Sequence, residues 1–229
     1  MIRLLLIETS SSLCSVALSE GDRIVGLREQ AGRVHAAMTA PFIQELLDGQ
    51  GLRVGDCDAV AVSMGPGSYT GLRVGASTAK GLCFAADIPL IAVGTLEALA
   101  WQARDEGLLP PDARRIIPMQ DARRMEVYTA AFSPDVTPLE PVSAQVIGPD
   151  SFAAERAEGG VLFIGDGVEK CRGTLQGPGV HFAPQPPRAA SLLHPALLRY
   201  EKKQFEDVAY FEPFYLKDFV ATVSRKNLF

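Results

Sequence analysis

The stretch Ser63-Met64-Gly65-Pro66-Gly67-Ser68-Tyr69-Thr70-Gly71-Leu72-Arg73-Val74-Gly75 decides the fold of this chain. It follows a short apolar run, 59–62, that is typical of a buried strand, and it precedes an Ala-, Gly- and Leu-rich run up to Ala86 that is typical of a helix. Glycines and a proline at this junction restrict the loop to a few backbone shapes. The loop is either a structural turn or an anion-binding loop at a helix start.

Composition bounds the class of protein. The chain has 229 residues, 47% of them hydrophobic and 21% charged, with a formal net charge of -5. This balance is typical of a globular protein and argues against broad binding to a nucleic-acid backbone, which needs a clustered basic surface. The four cysteines form no Cys-x-x-Cys pair, so we expect reduced thiols in a cytoplasmic protein. The apolar run 4–7 is too short for a signal peptide, and no segment could span a bilayer.

Around the central loop, the first half of the chain predicts alternating strands and helices. The order is three strands, helix, strand, helix, strand, helix. A proline, Pro41, predicts a kink or a late start in the first helix. The predicted strands are 3–9, 13–19, 23–28, 59–63 and 89–93. The first predicted helix starts near Val34, and the next two span 71–86 and 95–106.

The second half of the chain repeats a shorter version of this pattern after a joint at 108–112. We therefore expect two domains: an N-terminal lobe, 1–107, with the Gly-Pro-Gly loop and the helices on either side of it, and a C-terminal lobe, 108–229, with the last helix and a loose tail at 219–229. The predicted strands are 116–119, 126–132, 142–147 and 161–164. Three helices are predicted: the first spans 149–158, the second begins after Gly165-Asp166-Gly167, and the third spans 189–203.

Several motifs carry a resemblance to a known family. The opening Leu5-Leu6-Ile7-Glu8-Thr9-Ser10, followed by Cys14-Ser15-Val16-Ala17-Leu18, resembles the first phosphate loop of the actin/sugar-kinase/Hsp70 superfamily. The stretch from Gly65 to Gly75 is more specific and is similar to the signature of the TsaB (YeaZ) family. Further matches follow in the family's order along the chain: Asp121-Ala122-Arg123-Arg124-Met125-Glu126-Val127-Tyr128, Gly165-Asp166-Gly167 and Pro213-Phe214-Tyr215-Leu216.

The resemblance implies a fold and a function. The expected fold class is α/β, a two-lobed actin-like (ribonuclease H-like) fold that is duplicated, with a mixed sheet and helices in each lobe. The expected role is a non-catalytic scaffold that pairs with the catalytic paralogue TsaD. With the ATPase TsaE, these proteins transfer a threonylcarbamoyl group from threonylcarbamoyl-AMP to the adenosine beside the tRNA anticodon. We expect tRNA contact only through the complex, a homodimer in isolation and no membrane.

Two other functions stay open at this point. The chain could be a stand-alone actin-like ATPase or a carbamoyl or phosphoryl transferase, or a homodimeric module that binds a nucleotide without turnover. No Gly-x-Ser-x-Gly nucleophile motif and no Walker loop is present, so we expect no catalytic residues. We also expect no cofactor, with ATP or ADP in the cleft or at the partner interface as the alternative.

Candidate residues for a nucleotide or phosphate loop follow from the same resemblance. Active members of the superfamily usually carry Asp at the end of the first strand, where it positions a metal-bound nucleotide; here the residue is Glu8. Its side chain is longer by one bond, about 1.5 Å, which favours the alternative role of a polar strand end bonded to the 10–12 turn. The candidates are Glu8, Thr9, Ser10, Gly65, Gly67, Gly165 and Gly167.

A metal site is not expected. The resemblance implies that the catalytic paralogue binds its metal through two histidines one helical turn apart, a spacing that places both on one helix face. Here His35 is followed at that spacing by Thr39, a poor ligand. His181 and His194 have no matched partner.

Two predicted helices resemble the pair through which the family dimerises. Small residues along 71–86 would let another helix approach closely, and Met38, Phe42 and Leu46 form an apolar stripe at helical spacing. The alternative is that both faces fill the lobe's own core. The candidate interface residues are His35, Met38, Phe42, Leu46, Gly71, Arg73, Gly75 and Ala79.

Overall fold

The structure, a computed structural model, describes residues 1–217. It contains two five-stranded mixed sheets, one from each half of the chain. The first sheet is built from β1 (Arg3–Glu8), β2 (Leu13–Glu20), β3 (Arg23–Ala31), β4 (Ala59–Gly65) and β5 (Leu90–Gly94). The second is built from β6 (Arg115–Asp121), β7 (Glu126–Phe132), β8 (Pro138–Val146), β9 (Val161–Ile164) and β10 (Val180–Ala183).

The α-helices lie between and after these strands. They are α1 (His35–Gly49), α2 (Tyr69–Ala86), α3 (Thr95–Asp105), α4 (Ala153–Glu158), α5 (Val168–Leu175) and α6 (Leu193–Glu201). Two short 3-10 helices, Val54–Asp56 and Ala189–Leu192, complete the described elements. Among residues 1–217, no helix is long and apolar enough to cross a membrane.

Both sheets have the same topology. The first has the order β3-β2-β1-β4-β5, and the second has the order β8-β7-β6-β9-β10. In each, the first three strands pair antiparallel, and the fourth and fifth run parallel to the first. The predicted duplicated α/β fold with a mixed sheet in each lobe is therefore confirmed.

The core of the first lobe lies on both faces of its sheet. Side chains alternate between faces along β1, so that Leu5 and Ile7 point to one side and Leu4 and Leu6 to the other. On the first side they pack with α1 and α2, in a buried cluster that includes Phe42. On the second side the cluster includes residues of α3, the 3-10 helix at 189–192 and α6.

The last helix belongs with the first lobe, not with the second. Leu193 and Ala196 of α6 are buried against Leu4 and Ile91 of the first sheet, so placing this helix in the 108–229 lobe is wrong. The apolar face of α6 is buried against the second side of the first sheet, which α3 also covers. The predicted loose tail, 219–229, lies outside the described residues.

After α6, residues 204–217 form an irregular segment with a turn at 208–210, here called the C-terminal strap, that returns along the first lobe. The backbone amide of Glu206 donates to Leu90 O (2.9 Å), and Phe211 is buried in the core cluster that includes residues of β1, α1 and α2. The amide of Phe214 then donates to Met64 O (2.7 Å), and Lys217 pairs with Glu126 of the second lobe. The strap thus connects both lobes across the Gly-Pro-Gly loop.

Some element bounds differ from the prediction. The first helix begins at His35, next to the predicted start near Val34, and contains Pro41, so of the two alternatives for Pro41 the late start is wrong. The predicted helix at 149–158 forms only from Ala153, and the predicted helix at 189–203 is a 3-10 turn followed by α6. Strand β10 was not predicted, because its four residues lie in a Gly- and Pro-rich region.

Candidate functional site

A cleft of about 920 Å³ lies between the two lobes. The first lobe contributes the β1–β2 loop, the start of α1 and the start of α2, and the second lobe contributes the end of β6 and the turn after β9. The strap closes one side through residues 214–217. Two of the predicted phosphate-loop residues, Ser10 and Gly67, line this cleft.

The Gly-Pro-Gly loop at the cleft is packed tightly against its own chain. Gly65 has a φ of 112°, a backbone shape that favours glycine, and a Cβ there would lie 2.6 Å from Phe214 O. A Cβ at Gly67 would lie 2.5 Å from Ser10 O. The amide of Ser68 already donates to Ser10 O (2.7 Å). Close packing of the strap and the β1–β2 loop accounts for both glycines.

The start of α2 is seated on the end of β1 in the same way. A Cβ at Gly71 would lie 2.0 Å from Thr9 O, and one at Gly75 would lie 2.3 Å from Thr9 Oγ1. The Thr9 hydroxyl donates to Gly71 O (2.8 Å), and the Ser68 hydroxyl caps the helix by accepting from Gly71 N (3.3 Å). Gly71 and Gly75 therefore serve this internal contact, and their assignment to a partner interface is corrected.

Glu8 is a fully buried carboxyl at the floor of the site. Its Oε1 accepts from the amide of Ser10 (2.6 Å) and from the hydroxyl of Ser63 (3.0 Å), whereas Oε2 has no hydrogen-bond partner among the described residues. Burial raises the pKa of Glu8, and the nearby Asp166 carboxyl raises it further. Glu8 thus bonds the 10–12 turn, which is the strand-end role that its sequence position favoured.

Gln120, near the end of β6, joins the two lobes at the same floor. Its Nε2 donates to Ser10 O (2.8 Å) and to Ser10 Oγ (3.1 Å), and its side chain is buried. Sequence reasoning missed this residue. Its only signal was a polar side chain at the end of the apolar run 116–119, and such a residue needs a hydrogen-bond partner when it is buried.

The Gly165-Asp166-Gly167 turn mirrors the first loop in the second lobe. Gly165 has a φ of 130°, and a Cβ there would lie 2.2 Å from Met119 O. Gly167 donates its amide to the same carbonyl (2.9 Å). Asp166 faces the cleft and accepts from the amide of Asp121 (2.9 Å); burial raises its pKa.

The charged cluster before β7 pairs with neighbouring elements. Lys170 of α5 pairs with Asp121 and also donates to Glu126 O (2.6 Å), and Lys217 of the strap pairs with the Glu126 carboxylate. Arg123 has a φ of 71° at the cleft, so the β6–β7 turn holds a left-handed non-glycine residue beside it. These pairs fix the turn and tie the strap to the second lobe.

The residues at 65–67 do not fit a nucleotide phosphate. The superfamily resemblance implies one at this loop, yet the Ser68 amide and one oxygen of Glu8 are already bonded within the chain. The space beside Gly67 is filled by Ser10 O and by the Gln120 amide, at 2.5 and 2.7 Å from a Cβ position. Gly65 and Gly67 thus act here as packing residues.

The helix position that would hold a second metal-binding histidine holds a buried threonine. The Thr39 hydroxyl donates to His35 O (2.7 Å) and lies 3.5 Å from the Cys14 sulfur. Burial lowers the pKa of His35. Within residues 1–217, no three His, Cys, Asp or Glu side chains are grouped to hold a metal ion.

Most of the residues predicted for a partner interface lie in the core of the first lobe instead. Phe42, Leu46 and Ala79 are buried in the core of the first lobe, and Met38 packs against that core. Arg73 is exposed and lies over the ring of Tyr69, with its guanidinium carbon 4.5 Å from the ring centroid. The stripe at 38–46 is apolar, as predicted, but it packs against the chain's own sheet and not against a partner.

The outward surface of α1 and α2 consists of other residues. Both helices cover the same side of the first sheet and contact each other, so their exposed residues share one surface. This surface, the helix-pair face, comprises Ala36, Ala37, Ala40, Pro41, Gln44, Glu45, Asp48 and Gly49 of α1 and Thr70, Arg73, Ser77, Gly81, Phe84 and Ala85 of α2. Most of these side chains are small, and Phe84 is 84% exposed.

Comparisons with known proteins agree with this architecture. The family model described as TsaD, tRNA N6-adenosine threonylcarbamoyltransferase, matches residues 27–224. The chain is 31% identical over 233 residues to the tRNA threonylcarbamoyladenosine biosynthesis protein TsaB of Haemophilus influenzae, covering 95% of this chain and 94% of that protein.

Solved structures give the fold independently. The structure of YeaZ from Pseudomonas aeruginosa superposes with a TM-score of 0.80 at 30% identity, over 94% of this chain and 100% of that one. The activator of 2-hydroxyisocaproyl-CoA dehydratase from Clostridium difficile superposes with a TM-score of 0.52 at 12% identity, over 90% and 99% of the two chains, which shows the fold alone. The fold is the two-lobed actin-like one that the sequence predicted.

Proposed function

Because this chain belongs to the TsaB (YeaZ) family, we propose that it acts in tRNA threonylcarbamoyladenosine biosynthesis as a non-catalytic scaffold subunit in the cytoplasm. It pairs with the catalytic paralogue TsaD. Together with the ATPase TsaE, that complex transfers a threonylcarbamoyl group to the adenosine beside the anticodon. The names of its relatives and the full-length similarity support the pathway.

The observation that carries the non-catalytic role is the closed floor of the cleft. Glu8 and the amide of Ser68 are both hydrogen-bonded to Ser10, and Gln120 of the second lobe donates a hydrogen bond to the same residue. A nucleotide phosphate at this loop would have to displace these contacts. The proposal is therefore that no ATP, ADP or metal is needed in this chain.

The helix-pair face is the proposed site of contact with TsaD. Its small side chains allow a partner helix to approach closely, and Phe84 provides a large apolar contact at one end. The same face joins two copies of this chain when TsaD is absent. The net charge of -5 fits a subunit that leaves most of the tRNA contact to its partner.

Size-exclusion chromatography with light scattering tests this proposal, using the chain mixed with the TsaD of the same organism. We expect a one-to-one complex. The variant Ala40→Arg places a long charged side chain on the helix-pair face and should weaken the complex at least about tenfold, because an unpaired charge is buried there.

The matched control is Ala154→Arg, which makes the same change at an exposed alanine of α4. It should bind TsaD as the parent chain does, and both variants should melt at the parent temperature. The stand-alone ATPase becomes the better assignment if no complex forms, if the isolated chain hydrolyses ATP, and if the Glu8→Ala variant has lost that activity.

A further inference from the structure

The cleft rim, the part of the interlobe cleft lined by Arg33, Tyr69, Arg123 and Tyr215, carries unpaired positive charge from both lobes. Arg33 lies just before α1 and Arg123 lies in the β6–β7 turn, and both are exposed. The exposed Arg73 lies over the ring of Tyr69, with its guanidinium carbon 4.5 Å from the ring centroid. Within residues 1–217, none of these three arginines pairs with a carboxylate.

The acidic groups at the cleft do not neutralise these arginines. Asp121 pairs with Lys170, and Glu126 pairs with Lys217 of the strap. Asp166 accepts a hydrogen bond from the amide of Asp121 (2.9 Å), and burial raises its pKa, which disfavours its charged form. Although the chain has a net charge of -5, the cleft rim is therefore locally positive and favours an anionic ligand.

Aromatic side chains line the same cleft. The ring centroids of Tyr69 and Tyr215 are 4.7 Å apart, so the start of α2 and the strap form a joint aromatic surface. Tyr128 of β7 lines the cleft from the second lobe, and Phe214 is 39% exposed beside Tyr215. Aromatic rings and cationic side chains along one groove are typical of sites for single-stranded nucleic acids, because bases stack on the rings and phosphates pair with the cations.

We propose that the cleft rim binds an unpaired loop of RNA, with phosphates on Arg33 and Arg123 and a base on the aromatic surface at Tyr215. The inference rests on the proposed function, and it adds a direct RNA contact where the family resemblance implies contact only through the complex. A double helix fits less well, since its bases are stacked inside and cannot reach the rings. A mononucleotide also fits less well, because Ser10 O and the Gln120 amide fill the space beside Gly67.

Fluorescence anisotropy with a labelled RNA hairpin tests the site on the full chain alone, at several salt concentrations. The hairpin, which has an unpaired loop, should bind at least about tenfold more tightly than a fully paired RNA of the same length. Arg33→Gln and Arg123→Gln should each weaken binding and reduce the slope of log K against log salt by about 0.7, the value for one phosphate contact on a single strand. Arg23→Gln, at the end of β3 far from the cleft, removes the same charge and should bind as the parent.

Tyr215→Ala should weaken hairpin binding at least about fivefold through the loss of base stacking, whereas Tyr215→Phe keeps the ring and should bind as the parent. The exposed arginine variants decide the case if Tyr215→Ala fails to fold. No TsaD is present, so the result is separate from complex formation. No binding of the hairpin, equal binding of the paired RNA, or unchanged affinity in both arginine variants overturns the proposal. Displacement of the hairpin by micromolar ATP also overturns it, in favour of a mononucleotide site.

Discussion

In both lobes the fourth strand of the sheet ends in a Gly-x-Gly turn, yet the helix that follows runs for 18 residues in the first lobe and for eight in the second. The first glycines of the two turns, Gly65 and Gly165, both have left-handed φ values of 112° and 130°. The helices between the third and fourth strands differ in the same way, with 15 residues in α1 and six in α4.

The comparison separates a repeated framework from a specialised surface. Strand order and the glycine turns are common to both lobes, and in each turn a Cβ on the first glycine would clash with a backbone oxygen. Only the first lobe extends its helices into a broad outer face, and it also receives α6 and the strap from the end of the chain. The long helices are therefore the part of the duplication that the proposed scaffold role uses.

The contact between α2 and β1 gives the largest expected effect. Gly71→Ala would bring a Cβ to 2.0 Å from the Thr9 carbonyl, a backbone atom that cannot move aside. We expect the free energy of unfolding to fall by about 3 kcal/mol or more. Gly81→Ala, in the same helix but with nothing within 4 Å, should instead raise it by up to about 1 kcal/mol. Chemical denaturation followed by circular dichroism measures both; equal effects would refute the packing role of Gly71.

The dependence of the first lobe on the strap is tested by Phe211→Ala. Phe211 is 7% exposed in the core of that lobe, so truncation should cost about 3 kcal/mol. The neighbouring Tyr210, 84% exposed, is the control, and Tyr210→Ala should change stability by less than about 0.5 kcal/mol. Similar denaturation midpoints for the two variants would show that the strap does not contribute to the core.

The link between the lobes is tested by Gln120→Ala. Loss of its two hydrogen bonds to Ser10 should lower the free energy of unfolding by about 2 kcal/mol. Gln44→Ala removes an exposed hydrogen bond to Asp48 within one helix and should cost less than about 0.5 kcal/mol. A cost for Gln120→Ala no greater than that of Gln44→Ala would mean that the lobes are held together elsewhere.

Glu8→Gln gives the smallest effect, and the size of that effect depends on pH. Because burial raises the pKa of Glu8, its contribution to stability is present at low pH and is lost as the pH rises through the folded-state pKa. Glu8→Gln stays neutral at every pH, so its stability relative to the parent should be higher at pH 8 than at pH 5, by on the order of 1 kcal/mol. Urea denaturation at the two pH values measures the difference. Equal free energies of unfolding for parent and variant at both pH values would contradict the raised pKa of Glu8.

The sequence allowed the prediction of those features that depend on local pattern. The glycine turns, the strands and the repeated order follow from alternation and from loop composition, so the duplicated fold could be predicted from the residues alone. Ser10 and Gly67 lie together at the cleft, and Glu8 accepts a hydrogen bond from Ser10; their role as a phosphate loop, which the family resemblance implied, stays a prediction.

Features that depend on what covers a surface could not be predicted. The periodicity of Phe42 and Leu46 marks them as apolar, but it does not say whether the sheet of the same lobe or a partner covers them. The same ambiguity affected α6, whose apolar face packs on the first sheet. Gln120 was missed because its partner, Ser10, is 110 residues away in the sequence.

The most direct test of the central claim is a reconstituted assay of threonylcarbamoyladenosine formation on tRNA with TsaD, TsaE and this chain. The account predicts that product formation requires this chain, that Glu8→Gln supports the parent rate, and that Ala40→Arg reduces the rate at least about tenfold at limiting concentration. A Glu8→Gln chain that is folded and binds TsaD, yet supports no product formation, would contradict the account, because the cleft of this chain would then take part in the chemistry.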